Sequence, residues 1–581
     1  MLRGRTLRAI TLALAIGSLP LVALGAKPSA GAPQAQDSVA AKIDPALKEA
    51  MDRDGKAGFI VVLRERADTS GAAALTKKVD KGTYVLQTLR AHADRTQGGL
   101  RAYLASKGVH FEAYYIANAL YVEAGRDVML DVAARPEVER VNLNYRFKAI
   151  ETFVKPGPVV ETPNSVEWNI AQIRADQVWS QFGVTGEGTV VSEGDTGIQW
   201  NHPALKNAYR GWNGVTVDHN YNWWDATGTY PRSPNDGFGH GTHTSGTAVG
   251  YDPGLDKHIG VAYGARLIHC KNMDDGGFGQ DNWFLSCFQW ILAPWDLDHN
   301  NPRPDLAPDV MNNSWRYFGG NDPTFIDAIQ NLARAGVVVE VSAGNEGSQC
   351  ATLGSPSDYA NVITTGATAN RSETLVSFSS KGPSDLYPRW IKPDIVAPGE
   401  NVNSSLPGNQ YSGETWSGTS MAGPHVVGTV ALLISANPAL RGNVLALEQI
   451  IRDTGIRTMP NPPNPDNCGG LDYNVVPNQI YGWGRLDALN AVTAAINTPM
   501  YSITGRTVDA GTELPIAAHI ELRQGDVTVA ITESGAGSGN FKVSIAAGTY
   551  QLVANAAGHR TIQKTMNIAA DKRGVLRFQP Q

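Results

Sequence analysis

Between residues 166 and 498 the chain repeats one pattern, a short run of β-branched residues ending in Gly, Asp or Asn and then a segment with helical spacing. The runs are Thr189-Val-Val-Ser192, Arg266-Leu-Ile-His269, Asp309-Val-Met311 and Gly336-Val-Val-Val-Glu-Val341, and Thr324 to Ala335 is a helix of the set. Strands that are apolar at successive positions have no face to give to water. Alternating with helices, they predict a parallel α/β sheet covered on both sides. Functional residues in such sheets gather where the carboxyl ends of the strands meet loops.

The flanking segments follow other rules. Residues 40–150 read as β-α-β-β-α-β: a strand at Gly58–Leu63, helical spacing from Gly82 to Lys107, two strands around Ile116-Ala-Asn118, a short helix from Asp127 to Ala134, and a strand at Val138–Leu143. That order predicts a split-βαβ, ferredoxin-like α+β unit. Residues 151–165, with Val154-Lys-Pro-Gly-Pro158, read as an exposed, cleavage-prone linker. Residues 499–581 alternate without helical period, in Ile516–Leu522, Phe541–Ile545 and Tyr550–Ala554, and predict a small all-β sandwich.

Residues 1–26 place Arg3, Arg5 and Arg8 before an apolar run broken by Gly17, Ser18 and Pro20, with small residues at its end. This is the pattern of a secretory signal peptide, too short and interrupted for a membrane span, and it predicts a secreted protein, extracellular or periplasmic. The four cysteines, Cys270, Cys287, Cys350 and Cys468, then suggest two disulfides out of three possible pairings. Cys270 and Cys287 bracket a glycine-rich loop, which favours that local pair and leaves Cys350 for Cys468. A formal net charge of −6 over 581 residues calls for neither nucleic acid nor an anionic membrane as partner. The chain is expected to act as a monomer.

Three segments put a reactive residue beside glycines at an element end: Ser192-Glu-Gly-Asp195-Thr-Gly-Ile198, His240-Gly-Thr-His-Thr-Ser-Gly246 and Gly418-Thr-Ser420-Met-Ala-Gly-Pro-His425. Acyl transfer to a serine needs a hydroxyl, a neutral imidazole to take its proton, and a carboxylate that fixes the imidazole tautomer. The order Asp, His, Ser is one that such triads use. An α/β-hydrolase would need GxSxG and the order Ser, Asp, His, and both are missing. His240 and His243 have no HExxH spacing for zinc. Pro424 is expected in the first turn of the helix after Ser420, where its missing N–H costs nothing.

Through these segments the central domain resembles the subtilisin-like (subtilase) serine peptidases, over more than 300 residues. Ser342-Ala-Gly-Asn345-Glu-Gly347, Lys392-Pro-Asp-Ile-Val-Ala-Pro-Gly399 and Gly482-Trp-Gly-Arg-Leu486 match the family as well. The resemblance implies a serine endopeptidase acting on proteins or peptides. Ser420 would be its nucleophile, His240 the general base, Asp195 the orienting carboxylate, and Asn345 an oxyanion donor. It also implies substrate contacts at Ser314, Trp315, Gly344 and Gly354. Residues 40–150 resemble the inhibitor-type propeptide of the family, which implies an autoinhibited precursor matured between about Lys148 and Glu167. Residues 499–581 resemble a carboxypeptidase-regulatory-type module.

Two departures bear on specificity and metal. The family often has Ser-Leu-Gly-Gly at the substrate edge, and this chain has Ser314-Trp-Arg-Tyr-Phe-Gly-Gly320. With no acidic residue evident at Gly344 and Gly354, the expected preference is apolar or broad rather than basic. The His-Pro-Asp-Leu segment that often gives calcium a carboxylate reads His202-Pro-Ala204-Leu here. The chemistry is expected to need no cofactor. Structural calcium, if any, would fall to other loops such as those with Asp252 and Asp256.

Overall fold

The computed structural model describes residues 39–148, 152–155, 163–317, 319–462, 465–497, 499–524 and 527–581. Residues 1–26, read as a signal peptide, lie outside the described residues, as does most of the linker. The central element is a seven-stranded sheet in the order Ile395–Pro398, Ile363–Thr368, Val338–Ser342, Val310–Asn313, Val190–Asp195, Arg266–Lys271, Trp223–Asp225, with every neighbouring pair parallel. Its strands are two-faced in the way their composition requires. Val310 and Val338, paired across the sheet, face the core shared with the helix Thr419–Ala436. Met311, Val339 and Val341 face the core shared with the helices Asp281–Leu292 and Ile326–Arg334.

Among the described residues one helix, Thr419–Ala436, is long and apolar enough to cross a bilayer, and 89% of it is buried inside the protein. Val426, Val427, Val430, Leu432 and Leu433 are wholly buried, each contributing roughly 1.5–3 kcal/mol. This apolar rod is what fixes Ser420, in its first turn, against the sheet. Pro424 sits elsewhere than expected. The helix starts at Thr419, so Pro424 is its sixth residue and not in the first turn. Its absent N–H would have bonded the Ser420 carbonyl; that oxygen instead accepts from Ser314 Oγ at 3.3 Å.

Residues 39–148 form a four-stranded antiparallel sheet in the order His110–Tyr114, Ala119–Gly125, Lys56–Leu63, Val138–Leu143, with the helices Lys78–Ser106 and Arg126–Ala133 between strands in the chain. A further helix, Pro45–Asp54, was not foreseen, although Asp44 caps it by accepting from Ala46 N–H at 2.9 Å and Pro45 opens it. Phe59, Val61 and Leu63 pack under these helices, while Ile60 and Val62 join the core around the helix Asp281–Leu292. The strand is apolar throughout because its second face docks on the central unit. Residues 499–581 form sheets of three and four strands. Both expected disulfides are present, Cys270–Cys287 and Cys350–Cys468.

Candidate active site

The strand order reverses between Val190–Asp195 and Val310–Asn313: successive strands go to one side, then to the other. Open parallel sheets form their clefts at such a switch point, outside the carboxyl ends. Asp195 ends one of these strands, Ser314 follows its neighbour, and Asn345 follows the next. The helices that begin at His240 and Thr419 pack against each other above them.

His240 Nδ1 lies 2.8 and 3.0 Å from the two carboxylate oxygens of Asp195, and both side chains are fully buried. Asp195 Oδ1 also accepts the Thr196 N–H at 2.7 Å. The pair fixes the ring so that Nδ1 carries the proton and Nε2 is the open base. Among the described residues Nε2 has no hydrogen-bond partner. The bond from Ser420 Oγ to His240 is not made in this state; Ser420 Oγ donates to the Ser314 carbonyl at 3.3 Å. Ser314 and Ser420 thus hold each other reciprocally, and Asn312 Nδ2 secures Ser314 Oγ at 2.8 Å while donating to Glu193 at 2.8 Å.

Asn345 is oriented by its oxygen. Oδ1 accepts from the backbone N–H and the hydroxyl of Thr419, both at 2.9 Å, which turns Nδ2 toward the start of the Ser420 helix. The Ser420 N–H, in a first helical turn, has no intrahelical acceptor. Two N–H groups therefore converge beside the serine hydroxyl, the arrangement that stabilises an oxyanion. The recess beside them is lined by Ser314, Trp315, Arg316, Gly344, Asn345, Glu346 and Ser420. Trp315, expected as a substrate contact, is 1% exposed, and its indole stacks on Phe284 at 3.7 Å between ring centres. It is a core side chain that backs the recess. Gly354 lies against Arg316 and the Tyr317 carbonyl.

Sequence reasoning missed Asp236. Its Oδ1 accepts from Gly239 N–H at 2.7 Å and from Thr196 Oγ1 at 2.9 Å, and its Oδ2 accepts from Thr242 N–H at 2.9 Å. It therefore caps the helix that starts at His240 and ties it to the residue after Asp195. The legible signal was an Asp four residues before a helix-opening His, followed by Gly-Phe-Gly. His243, three residues on from His240, is a packed residue: it stacks on Trp416 at 4.8 Å and bonds Ser412 Oγ at 3.1 Å. Burial lowers it to about 3, which keeps it neutral.

Two buried glutamates lie beneath the site. Burial and then the Asp195 charge push Glu193 well up. Glu340 abuts the serine helix, since a methyl built on Gly423 would stand 2.7 Å from its Oε2. Burial raises Glu340 from 4.5 to about 8. Between those values the folded protein holds a proton that the unfolded chain releases, so this group's contribution is full below about pH 4.5 and is lost as pH rises toward 8. Glu340→Gln should leave stability near pH 4.5 little changed and raise it at pH 8 by on the order of a few kcal/mol. Denaturant unfolding at several pH values checks this; a gap independent of pH would contradict it.

The two carboxylates named for a calcium site are hydrogen-bonded within the chain. Asp252 Oδ1 accepts from the Gly254 and Leu255 N–H groups and its Oδ2 from Tyr411 Oη at 2.6 Å, while Asp256 Oδ1 accepts from Tyr251 Oη at 3.0 Å. The nearby positive charge is the buried Lys257 ammonium, 3.4 Å from Glu167 and over the Tyr411 ring. Among the described residues, no group of three or more His, Cys, Asp and Glu side chains is placed to hold a metal ion.

Comparison with known proteins gives a consistent result. Residues 186–484 match the Subtilase family. Bacillopeptidase F of Bacillus subtilis (strain 168) is 36% identical over 491 residues, covering 79% of this chain and 33% of that protein. Subtilisin E of the same strain is 36% identical over 284 residues, covering 48% of this chain and 63% of that protein. Subtilisin of Bacillus pumilus is 35% identical over 280 residues, 47% and 86% of the two chains. The aligned part of this chain thus spans a third of bacillopeptidase F and just under two thirds of subtilisin E. With the parallel sheet, the buried Asp195–His240 pair and the Ser420 helix, these matches establish that the chain belongs to the subtilase family.

Proposed function

We propose that this chain is a serine endopeptidase, exported and made as an autoinhibited precursor. The observation that carries the reading is the buried Asp195–His240 pair, whose Nε2 is the open base beside a helix that presents Ser420. Ser420 Oγ attacks the substrate carbonyl carbon and gives its proton to His240 Nε2. The oxyanion accepts from Asn345 Nδ2 and the Ser420 N–H. Collapse breaks the C–N bond, with the imidazolium returning the proton to the leaving amine. Water, deprotonated by His240, then cleaves the acyl-serine ester and restores the hydroxyl. The Asp195 carboxylate stabilises the imidazolium at both stages.

Autoinhibition is supported by where the chain runs between its N-terminal and central units. Arg146–Lys148 pairs antiparallel with Phe278–Gln280, and Phe153–Val154 pairs antiparallel with Trp416–Ser417, three residues before Ser420. Lys148 also lies on the wall of the Ser420 recess. The bond cut in maturation is proposed to lie between Lys148 and Phe153. Residues 39–148 would then be a ferredoxin-like inhibitory propeptide. Export is supported by the pattern of residues 1–26 and by the two disulfides.

The test is hydrolysis of casein by the purified, processed protein. Activity should be lost to a serine-directed phosphonylating reagent. It should survive EDTA, or be restored after EDTA by calcium, which would act on structure only. Loss to EDTA that zinc alone restores, with no effect of the serine reagent, would contradict the triad mechanism.

A further inference from the structure

We infer that Arg316 sets the size of the recess that receives the side chain on the acyl side of the scissile bond, and restricts that residue to short side chains. This rests on the peptidase reading. A carbonyl held at Ser420 and Asn345 has its own side chain within one bond, and the adjoining recess is bounded by Ser314, Arg316, Gly344 and Glu346. Lys148 borders the recess but does not fill it, since its ammonium donates to the Gly276 carbonyl at 2.7 Å and lies over the Phe238 and Phe278 rings.

Gly344 and Gly354 lack side chains on this wall, yet the space they leave is not open. A methyl built on Gly344 would lie 2.6 Å from Arg316 Cδ and overlap its Nε, and one on Gly354 would overlap Nη1. The guanidinium fills the slot between the two glycines. It is held at both ends: Nη1 donates to the Tyr317 carbonyl at 2.6 Å, and the other end pairs with the Glu346 carboxylate. The Arg316 side chain is only 7% exposed. A bulky substrate side chain would have to break the Arg316–Glu346 pair and expel a fixed, buried arginine, which is costly. A short one, such as alanine or serine, fits beside it. Glu346 already neutralises the charge, so the arginine acts here by its volume.

The experiment measures kcat/KM for tetrapeptide p-nitroanilides that differ only in the last residue (Ala, Ser, Leu, Phe, Glu, Lys), with the processed wild type and with Arg316→Gly and Arg316→Ala. The wild type should favour Ala and Ser. The Phe-to-Ala ratio should rise about 100-fold in Arg316→Gly and at least tenfold in Arg316→Ala. The wild-type profile decides the point even where a variant fails to fold. A wild type that favours Phe or Leu overturns the inference, and so does one that favours Glu, which would assign Arg316 to charge recognition. Ratios unchanged in a folded variant overturn it too. Hydrolysis of none of these substrates would overturn the peptidase reading, and this inference with it.

Discussion

Ser420→Ala should abolish casein hydrolysis, with a loss on the order of 10⁶ in kcat. The size follows from the division of labour: without Oγ there is no acyl-enzyme, and only the paired N–H donors and substrate binding remain. The same change should leave the fold intact. In this state, among the described residues, Ser420 Oγ donates one hydrogen bond, to Ser314 O at 3.3 Å, worth about 1 kcal/mol, while the buried helix behind it is untouched. Maturation should stall as well, leaving residues 39–148 covalently attached. A gel of the expressed protein, read beside the casein assay, checks both outcomes. Processed but inactive Ser420→Ala would mean that another peptidase cuts the linker.

Asp195→Asn should cost about 10⁴ in kcat with little change in KM. The carboxylate accepts the Nδ1 proton at 2.8 and 3.0 Å and so keeps Nε2 a base. An asparagine at this position can turn its amide N–H toward Nδ1, which moves the proton to Nε2 and removes the base. Asp195 is wholly buried, and an asparagine oxygen that keeps the Thr196 N–H bond of Oδ1 puts the NH₂ at the Oδ2 position, 3.0 Å from Nδ1. That N–H then competes with the Nδ1 proton for the same contact, which the carboxylate never does. Kinetics on a peptide substrate across pH 6–10 check this, with unfolding midpoints to show that the variant folds. A loss of less than tenfold would show that the carboxylate is not needed to orient His240.

Much of this architecture was legible because its signals are local. The valine-rich runs at Val190, Val310 and Val338 declare strands covered on both faces, and the four strands of residues 39–148 stand out by alternation and length. Three strands of the central sheet, Trp223–Asp225, Ile363–Thr368 and Ile395–Pro398, were not foreseen. Their composition suits strands, but each run is short and sits among Gly, Pro and Asp residues that read equally as loop. The site shows the same division. Asp195, His240 and Ser420 could be picked out by their glycine-flanked segments, whereas the tie from Asp236 to Thr196 and the Arg316–Glu346 pair exist only once distant segments meet. Pro424 was misplaced because the apolar run that signals the helix begins only at Val426. The helix itself starts at Thr419, whose N–H and hydroxyl are held by Asn345 from a distant strand end, so Ser420 and Met421 fall in its first turn.

The most direct measurement is mass-spectrometric mapping of the processed wild type after reaction with a phosphonylating reagent. A single adduct on Ser420, formed in step with the loss of casein hydrolysis and absent from Ser420→Ala, is the expected result. An adduct on another serine, or undiminished hydrolysis by protein fully labelled at Ser420, would contradict the assignment of Ser420 as the nucleophile.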